Sequence, residues 1–265
     1  MGVLNITPDS FSDGGELFDG HVINAGALCA RAEAMLAGGA VVLDIGGEST
    51  RPGAAPVGEA EELDRVLGAL HILRARFDTI ISVDTSTPRV ISEAAANGAG
   101  LINDVRALQR DGALAAAAAT NLPVCLMHMQ GEPVSMQHNP AYDDVITDVL
   151  GFLEARVASC LHAGIANDRI VLDPGFGFGK TLAHNFQLLA GLHQICSMGY
   201  PVLAGLSRKS MIAGVLERKP HERMPASIGL AVIAAQQGAR LIRVHDVAET
   251  YDALAMVRAM EQFNS

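Results

Sequence analysis

Ionisable and amide side chains recur at or just after the ends of the short apolar runs in this sequence. These residues are Asn5, Asp44, Asp84, Asn103 with Asp104, His128, Asp173, Ser207 with Arg208 and Lys209, and Arg243 with His245. Burying such groups costs free energy unless they find partners, so a purely structural domain would not carry them after every run. Some could be N-caps of the following helices. That explanation does not extend to all of them, and we expect a shared polar site.

The residue types in this set indicate the class of ligand. Carboxylates and amides come from the early and middle runs, and they match a planar, nitrogen-rich heterocycle with donors and acceptors on its edge. Cations come from the last two runs. Lys209, Arg243 and His245 suit a phosphate or diphosphate group. The pattern therefore favours a heterocyclic substrate that carries phosphate.

Two single residues of the set are compatible with other chemistries. Lys209 could form a Schiff base with a carbonyl substrate, but its neighbours in Ser207-Arg208-Lys209-Ser210 are cationic and open a predicted helix, which favours anion binding. His128 has no second histidine at the spacing of metal ligands, so we do not expect zinc. The seven remaining histidines are interpreted as surface or packing residues.

Eight apolar runs must position these residues. They span 3–6, 41–45, 80–83, 101–105, 124–127, 170–172, 202–206 and 241–244. The runs do not alternate with polar residues, which is typical of parallel strands buried on both faces. Helical stretches separate them, the clearest at 143–163, and Thr87 and Pro88 are typical of an N-cap and the first helical position. Eight strands in alternation with helices over 265 residues predict one (β/α)₈ TIM barrel, with residues 1–265 as a single domain.

Three loops at the predicted strand ends are distinctive. Residues 7–15 and 46–53 are polar and glycine-rich, which is compatible with mobile lids and equally with ordinary turns. Residues 174–181 come close to a phosphate-binding P-loop but have proline at the first glycine position. We interpret this third segment as the loop after strand 6, which brings Phe178 to the rim, and we expect Lys180 to be solvated.

Composition excludes several other functions. Aromatic residues make up 4% and tryptophan is absent, so a surface that stacks nucleic-acid bases is not expected. The net charge of −10 disfavours nucleic acids and anionic membranes as partners. No apolar stretch approaches the roughly 18 residues of a membrane-spanning helix. The four cysteines are widely spaced and no signal peptide is evident, so we expect reduced thiols in a cytoplasmic protein.

Six segments together resemble the bacterial dihydropteroate synthase family. They are 1–15 (MGVLNITPDSFSDGG), 44–53 (DIGGESTRPG), 81–85 (ISVDT), 173–180 (DPGFGFGK), 207–210 (SRKS) and 243–246 (RVHD). They occur in the family's order and span almost the whole chain. The resemblance implies a TIM-barrel transferase of folate biosynthesis. Such an enzyme joins 6-hydroxymethyl-7,8-dihydropterin diphosphate to p-aminobenzoate, uses Mg²⁺, and is the target of sulfonamides.

The resemblance also implies roles for individual residues. Asp84, Asn103, Asp173 and Lys209 would bind the pterin. Asn5, Arg243 and His245 would bind the diphosphate, with Asn5 reaching Mg²⁺. Phe11, Thr50, Arg51, Pro52, Phe178 and Ser210 would shape the p-aminobenzoate site, and Asp9 and Ser10 would help to close the first loop. The catalytic set would be Asp84, Asp173, Lys209, Arg243 and His245, acting in an SN1-like displacement of pyrophosphate.

Three alternatives stay open at this point. A methyltetrahydrofolate-binding methyltransferase barrel would share the acids and amides, but it has no use for residues 50–52 and 207–210 as anion sites. A Schiff-base aldolase would use Lys209. A catalytically silent pterin-binding homologue would keep the site without turnover.

The resemblance carries three further expectations. The family is commonly dimeric, so we expect a homodimer. Phe11 and Pro52 match the ordinary bacterial pattern, so we expect sensitivity to sulfonamides. Members of the family often have a short segment before strand 1 that covers the barrel floor, whereas the printed sequence begins in strand 1, so we expect an exposed floor.

Overall fold

The structure is a computed structural model that describes residues 1–8, 17–18, 22–49, 57–133 and 135–263. Strands and helices alternate along the described chain. The strands are β1 (Gly2–Asn5), β2 (Val42–Gly46), β3 (Ile80–Asp84), β4 (Leu101–Asp104), β5 (Val124–Met127), β6 (Ile170–Asp173), β7 (Leu203–Ala204) and β8 (Leu241–Ile242). The helices are α1 (Ala25–Ala37), α2 (Glu59–Arg74), α3 (Pro88–Ala96), α4 (Ala113–Thr120), α5 (Val145–His162), α6 (Leu182–Ala190), α7 (Leu192–Cys196), α8 (Ser210–Leu216), α9 (Met224–Gln236) and α10 (Val247–Phe263).

The strands close into a parallel barrel. Each strand from β1 to β6 pairs with the next, and β7 pairs with β8. A bridge between Leu172 and Val202 joins β6 to the start of β7. Between β8 and β1, Val3 N donates to Val244 O at 3.1 Å, and Val244 N donates to Met1 O at 2.9 Å. The predicted TIM barrel is confirmed.

The strand register brings the polar residues to one end of the barrel. Asp84 of β3 lies beside Asn103 of β4, and Asp173 of β6 lies beside Met127 of β5. Because all strands run in the same direction, their carboxyl ends meet at one mouth. Arg243 can therefore hydrogen-bond to Asp44, a residue 199 positions earlier in the sequence.

The apolar core has two parts. Two large clusters lie between the barrel and the surrounding helices, for example around Leu43 and Val66 on one side and around Leu126 and Leu153 on the other. A small cluster of Leu101, Cys125 and Leu203 fills the barrel interior. The polar mouth thus rests on an apolar floor, as expected for a barrel whose centre is packed rather than open.

Helix α5 confirms the helical interpretation of residues 143–163. It begins at Val145 because the side chain of Asp144 accepts a hydrogen bond from Thr147 N at 2.8 Å and so caps the first turn. Val149, Leu153 and Val157 are buried, as their spacing predicts.

Two details of the sequence interpretation differ from the structure. Helix α3 does begin at Pro88, but Thr87 makes no capping bond because its hydroxyl donates to Glu62 Oε2 at 2.6 Å. Strands β7 and β8 have regular pairing over two residues each, shorter than the predicted runs 202–206 and 241–244. The chain after β7 turns into a loop in which Arg208 adopts a φ of 58°. Among the described residues, no helix combines the length and hydropathy that crossing a bilayer requires.

Gly39 should be essential for the packing of α10 against the end of α1. Its φ is 97°, and a Cβ added there would lie 2.4 Å from Cδ2 of Tyr251. We expect Gly39→Ala to lower the free energy of unfolding by about 2 kcal/mol, because of the backbone conformation and the displaced ring. Denaturant unfolding measures this effect.

Gly229→Ala is the matched control, because an added Cβ there meets nothing within 4 Å in helix α9. That variant should gain up to about 1 kcal/mol from helix propensity. Equal stability of the Gly39 variant and the wild type would contradict the packing described for α10.

Candidate active site

Arg243 lies between two carboxylates at the barrel mouth. Its Nε donates to Asp44 Oδ2 at 2.6 Å, and its Nη2 donates to Asp84 Oδ2 at 3.2 Å. Asp44 is fully buried and also accepts from Asn103 Nδ2 at 3.3 Å. Two neighbouring carboxylates, one fully and one partly buried, repel each other, so the guanidinium between them makes their proximity tolerable.

The electrostatics of this group depend on burial and on the two acids. Burial, together with the charge of Asp44, raises the pKa of Asp84 to about 8, although Arg243 opposes this shift. Burial tends to lower the pKa of Arg243, but Asp44 and Asp84 outweigh it, and the net shift is upward. Arg243 therefore stays charged, while Asp84 can change its protonation state near neutral pH.

Asp173 and Lys209 are a second acid and base at the mouth, and their charges influence each other. Burial raises the pKa of Asp173, and the charge of Lys209 opposes that shift. Burial lowers the pKa of Lys209 to about 8, and Asp173 opposes that shift in turn. Asp173 Oδ1 accepts from Gly175 N at 2.7 Å, which fixes the orientation of the carboxylate.

Lys209 is held by the loop that follows β6. Its Nζ donates to the carbonyl oxygen of Phe176 and lies 4.7 Å from the centre of the Phe178 ring. The ring face attracts the ammonium group electrostatically. The prediction that Phe178 reaches the rim is consistent with this contact, and the loop joins an aromatic surface to the charged mouth.

The loops after β7 and β8 are tied to each other. Ser207 Oγ lies 3.0 Å from Nδ1 of His245 and accepts from His245 N at 3.2 Å. Arg208 Nε donates to Asp246 Oδ2 at 3.0 Å. These contacts hold His245 beside Ser207, in the loop that also carries Lys209.

The predicted site residues divide into three groups. Those gathered at the mouth are Asp84, Asn103, Asp173, Lys209 and Arg243, with Phe178 against Lys209 and His245 against Ser207. Asn5 ends β1 in register with Gly46, and Ser210 is exposed as the first residue of α8. The predicted loop residues Asp9, Ser10, Phe11, Thr50, Arg51 and Pro52 lie outside the described residues.

The prediction that Lys180 is solvated is wrong. Its side chain is 3% exposed, and Nζ lies within hydrogen-bonding distance of Gly175 O, Phe178 O and His128 Nδ1. The glycine-rich loop curls around this side chain, so its carbonyl groups turn inward and need a donor. A lysine beside a glycine-rich turn carries no sequence signal that separates this arrangement from an exposed one.

Sequence reasoning also missed the roles of two buried acids. Asp44 received no site role, although a charged residue between Leu43 and Ile45 in an apolar run signals an internal counter-charge. Glu62 lies in the acidic first turn of α2, which is typical of an exposed helix start. The structure instead buries it, and it accepts from the hydroxyls of Thr85 and Thr87, just beyond Asp84. No sequence signal marks Glu62.

Comparison with known proteins shows which family has this chain's sequence pattern. Residues 1–245 match the family model described as pterin binding enzyme. The chain is 53% identical over 259 residues to dihydropteroate synthase of Escherichia coli strain K12, which covers 98% of this chain and 90% of the relative. The chain belongs to the dihydropteroate synthase family.

Solved structures of the family have the same fold. A crystal structure of Yersinia pestis dihydropteroate synthase with a sulfonamide drug matches with a TM-score of 0.95 and 54% identity, covering 98% of this chain and 93% of that chain. Xanthomonas albilineans dihydropteroate synthase in complex with 7,8-dihydropteroate matches with a TM-score of 0.86 and 46% identity, covering 98% and 92%. The chain is thus a transferase of the folate pathway. The methyltransferase and silent-homologue alternatives are not favoured.

The raised pKa of Asp84 predicts a pH-dependent penalty on stability. Its folded-state pKa of about 8 exceeds the ordinary aspartate pKa of 3.8, so the contribution of this carboxyl to stability is greatest in acid and is lost as the pH rises towards 8. An amide at this position does not titrate. Asp84→Asn should therefore gain stability relative to the wild type as the pH rises from 5 to 8.

Denaturant unfolding of both proteins at several pH values in this interval measures the difference. Asp78→Asn, an exposed acid before β3, is the control and should show no such trend. A stability difference between Asp84→Asn and wild type that does not change with pH would contradict the shift assigned to Asp84.

Proposed function

We propose that the chain condenses 6-hydroxymethyl-7,8-dihydropterin diphosphate with p-aminobenzoate, with 7,8-dihydropteroate and pyrophosphate as products. One observation carries this proposal. A partly buried carboxylate from β3, a buried carboxylate from β6 and a buried amide from β4 share one barrel mouth with the cations Lys209 and Arg243. Membership of the family supplies the identity of the reaction.

The pterin ring binds among Asp84, Asn103, Asp173 and Lys209. A pterin edge presents amino and ring N–H donors as well as carbonyl and ring nitrogen acceptors. Carboxylates accept from the donors, whereas the asparagine amide and the ammonium group donate to the acceptors. Asp173 is pre-oriented by Gly175 N, so it loses little freedom when the ring binds.

The diphosphate binds to Asn5, Arg243 and His245. A guanidinium has five N–H donors, and Asp44 and Asp84 each engage one of them. Arg243 can therefore hold both carboxylates and still donate to an anion. His245 is positioned for this role by its contacts with Ser207.

Mg²⁺ fits this site as an ion shared with the substrate. Within the described part of the chain, no group of three or more His, Cys, Asp or Glu residues comes together as a metal cage. Mg²⁺ commonly takes only one or two protein oxygens and fills its shell with phosphate oxygens and water. The amide oxygen of Asn5 at the end of β1 suits that role. When bound, the ion neutralises charge on the diphosphate.

The reaction is an SN1-like displacement. The bond between the methylene carbon of the pterin and the diphosphate oxygen breaks first, and its electron pair leaves with the diphosphate. The carbocation is delocalised over the reduced ring, and the charge of Asp173, together with that of Asp84 in its ionised form, stabilises it. Arg243, His245 and Lys209 stabilise the departing anion. These residues form the proposed catalytic set.

The arylamine completes the reaction. Its nitrogen attacks the methylene carbon, a C–N bond forms, and the amine proton passes to solvent. An arylamine is neutral at pH 7, so the site needs no strong base.

The p-aminobenzoate site lies beside Lys209. We assign to it Phe178, Ser210, Phe11, Thr50, Arg51 and Pro52. Asp9 and Ser10 help to close the first loop over the diphosphate, and closure excludes the water that would compete for the cation.

We propose three further properties, which membership of the family supports. Residues 1–265 form one domain, the protein acts in the cytoplasm, and two copies form a homodimer. Exposed apolar side chains on the neighbouring helices α9 and α10, among them Ile233, Met256 and Met260, support a role of these helices in pairing. Sulfonamides, one of which is bound to the Yersinia pestis relative, compete with p-aminobenzoate.

Asp173→Asn tests the catalytic assignment. The amide can still accept from Gly175 N, but it has no charge to stabilise the carbocation, so we expect kcat for pyrophosphate release to fall by about 100-fold or more. Asp168→Asn, an exposed acid just before β6, is the matched control and should turn over like the wild type. Near-normal kcat/KM for Asp173→Asn would contradict the assignment.

The order of binding tests the role of the loops. Pterin diphosphate should bind before p-aminobenzoate, because the second site needs loops that close over the first ligand. Calorimetric titration of p-aminobenzoate should therefore give measurable heat only when pterin or pyrophosphate is present. Tight binding of p-aminobenzoate to the bare protein would refute this order.

A further inference from the structure

Lys180 is a buried amine that the proposed mechanism does not use, and burial lowers its pKa to about 7. Its Nζ donates to Gly175 O at 2.9 Å and to Phe178 O at 3.1 Å, and it lies 2.9 Å from Nδ1 of His128. Three acceptors surround an ammonium group that has three N–H donors, so each donor has a partner. An apolar side chain of the same length would leave these acceptors buried without a donor, which is costly.

The loop around Lys180 is pressed against the end of β5. Gly175 has a φ of 68°, and a Cβ added there would lie 1.8 Å from His128 O. A Cβ on Gly179, at a φ of 60°, would lie 2.4 Å from Gln130 O. The glycines thus allow a conformation that turns loop carbonyls inward, and Lys180 provides the N–H donors that these carbonyls need.

His128 completes the connection to β5. Its backbone N donates to Asp173 O at 2.9 Å, and its ring packs edge-on against Phe152 with centroids 4.9 Å apart. Burial and the charge of Lys180 lower the pKa of His128 to about 3, so the ring is neutral and Nδ1 can accept from Lys180. Lys180 thereby joins the end of β5 to the loop after β6.

The same loop supports two residues of the pterin site. Gly175 N donates to Asp173 Oδ1 at 2.7 Å. One residue further on, Phe176 O accepts from Lys209 Nζ, and the Phe178 ring lies against the same ammonium group. Lys180 bonds to the carbonyls of Gly175 and Phe178, the same residues that contact Asp173 and Lys209.

We propose that Lys180 is a positioning residue that fixes the loop 174–179 and through it the orientation of Asp173 and Lys209 for pterin binding. Lys180 does not itself touch the substrate. The inference rests on the proposed function only in the choice of pterin as the ligand. Two sets of contacts support the positioning role: the three contacts of Lys180 Nζ, and the contacts of the loop with Asp173 and Lys209.

Lys180→Met tests the proposal by removing the charge and the donors while keeping a similar length. Isothermal titration with 6-hydroxymethylpterin diphosphate should show binding about 10- to 100-fold weaker than in the wild type, because misplaced binding groups cost affinity of this order. Lys219→Met is the matched control, since Lys219 is exposed far along the chain from the loop. It should bind like the wild type. Equal affinity of folded Lys180→Met and wild type would overturn the proposal.

A double-mutant cycle separates positioning from general stability. If Lys180 acts through Lys209 and Asp173, Lys180→Met combined with Lys209→Met should bind only slightly more weakly than Lys209→Met alone. If the fold-losses of pterin affinity caused by the two single substitutions multiply in the double variant, Lys180 acts independently of Lys209. That result would also overturn the proposal.

A milder variant keeps the test valid if Lys180→Met does not fold. Lys180→Gln retains two N–H donors but not the charge, and it should bind the pterin with intermediate affinity. Wild-type affinity in that variant would count against positioning. Failure of the wild-type protein to bind the pterin would instead contradict the proposed function, so the two failures are distinguishable.

Discussion

Each charged side chain in the barrel mouth is stabilised there by a neighbouring group of opposite charge. Asp44 is fully buried, Asp84 is partly buried and Asp173 is buried, and each carboxyl group needs a cation nearby to offset the loss of water. Arg243 supplies that cation to the first two, and Lys209 supplies it to the third. The charges in this site are therefore only partly compensated when no ligand is bound. Each acid is paired with a cation, so that the pair has little net charge until a ligand brings new donors and charge. Such an arrangement suits a reaction that creates a cation and an anion in the same space.

Around this centre, polar contacts hold the described loops in place, in addition to the apolar packing of loop residues such as Phe176 and Leu206. Arg208 and Asp246 join the loops after β7 and β8, Lys180 joins the loop after β6 to β5, and Glu62 joins α2 to the loop after β3. Each of these contacts is made by a buried or half-buried charged group that reaches a neighbouring loop or strand end. Such contacts are directional, so they fix the orientation of a carboxylate or an ammonium group more closely than apolar contacts can. In a barrel whose reacting groups lie at the rim, side-chain orientation must be fixed at the rim, whereas the floor needs only apolar packing.

The sequence predicted the fold well because its signals are local. Apolar runs buried on both faces gave eight strands in the right order, and the periodicity of 143–163 gave α5 nearly to its ends. It also led to the residues at the mouth, since every strand of a parallel barrel ends at the same side. The interpretation failed where the outcome depends on a partner distant in the chain. Thr87 bonds to Glu62 instead of capping α3, and Lys180 is enclosed by its own loop and by His128.

The sequence alone determined the strand count, the polar residue types at the strand ends and, through its motifs, the resemblance to a family. These properties follow from neighbours in the chain, where spacing and side-chain chemistry are visible. Only the tertiary structure decided which acid pairs with which base. Asp44 and Arg243 meet because barrel closure joins β8 to β1, next to β2, and no local pattern encodes that contact. The protonation behaviour of Asp84 and Lys209 was decided in the same way, because a pKa in a buried site depends on the charges that folding brings near it and on the water that it removes.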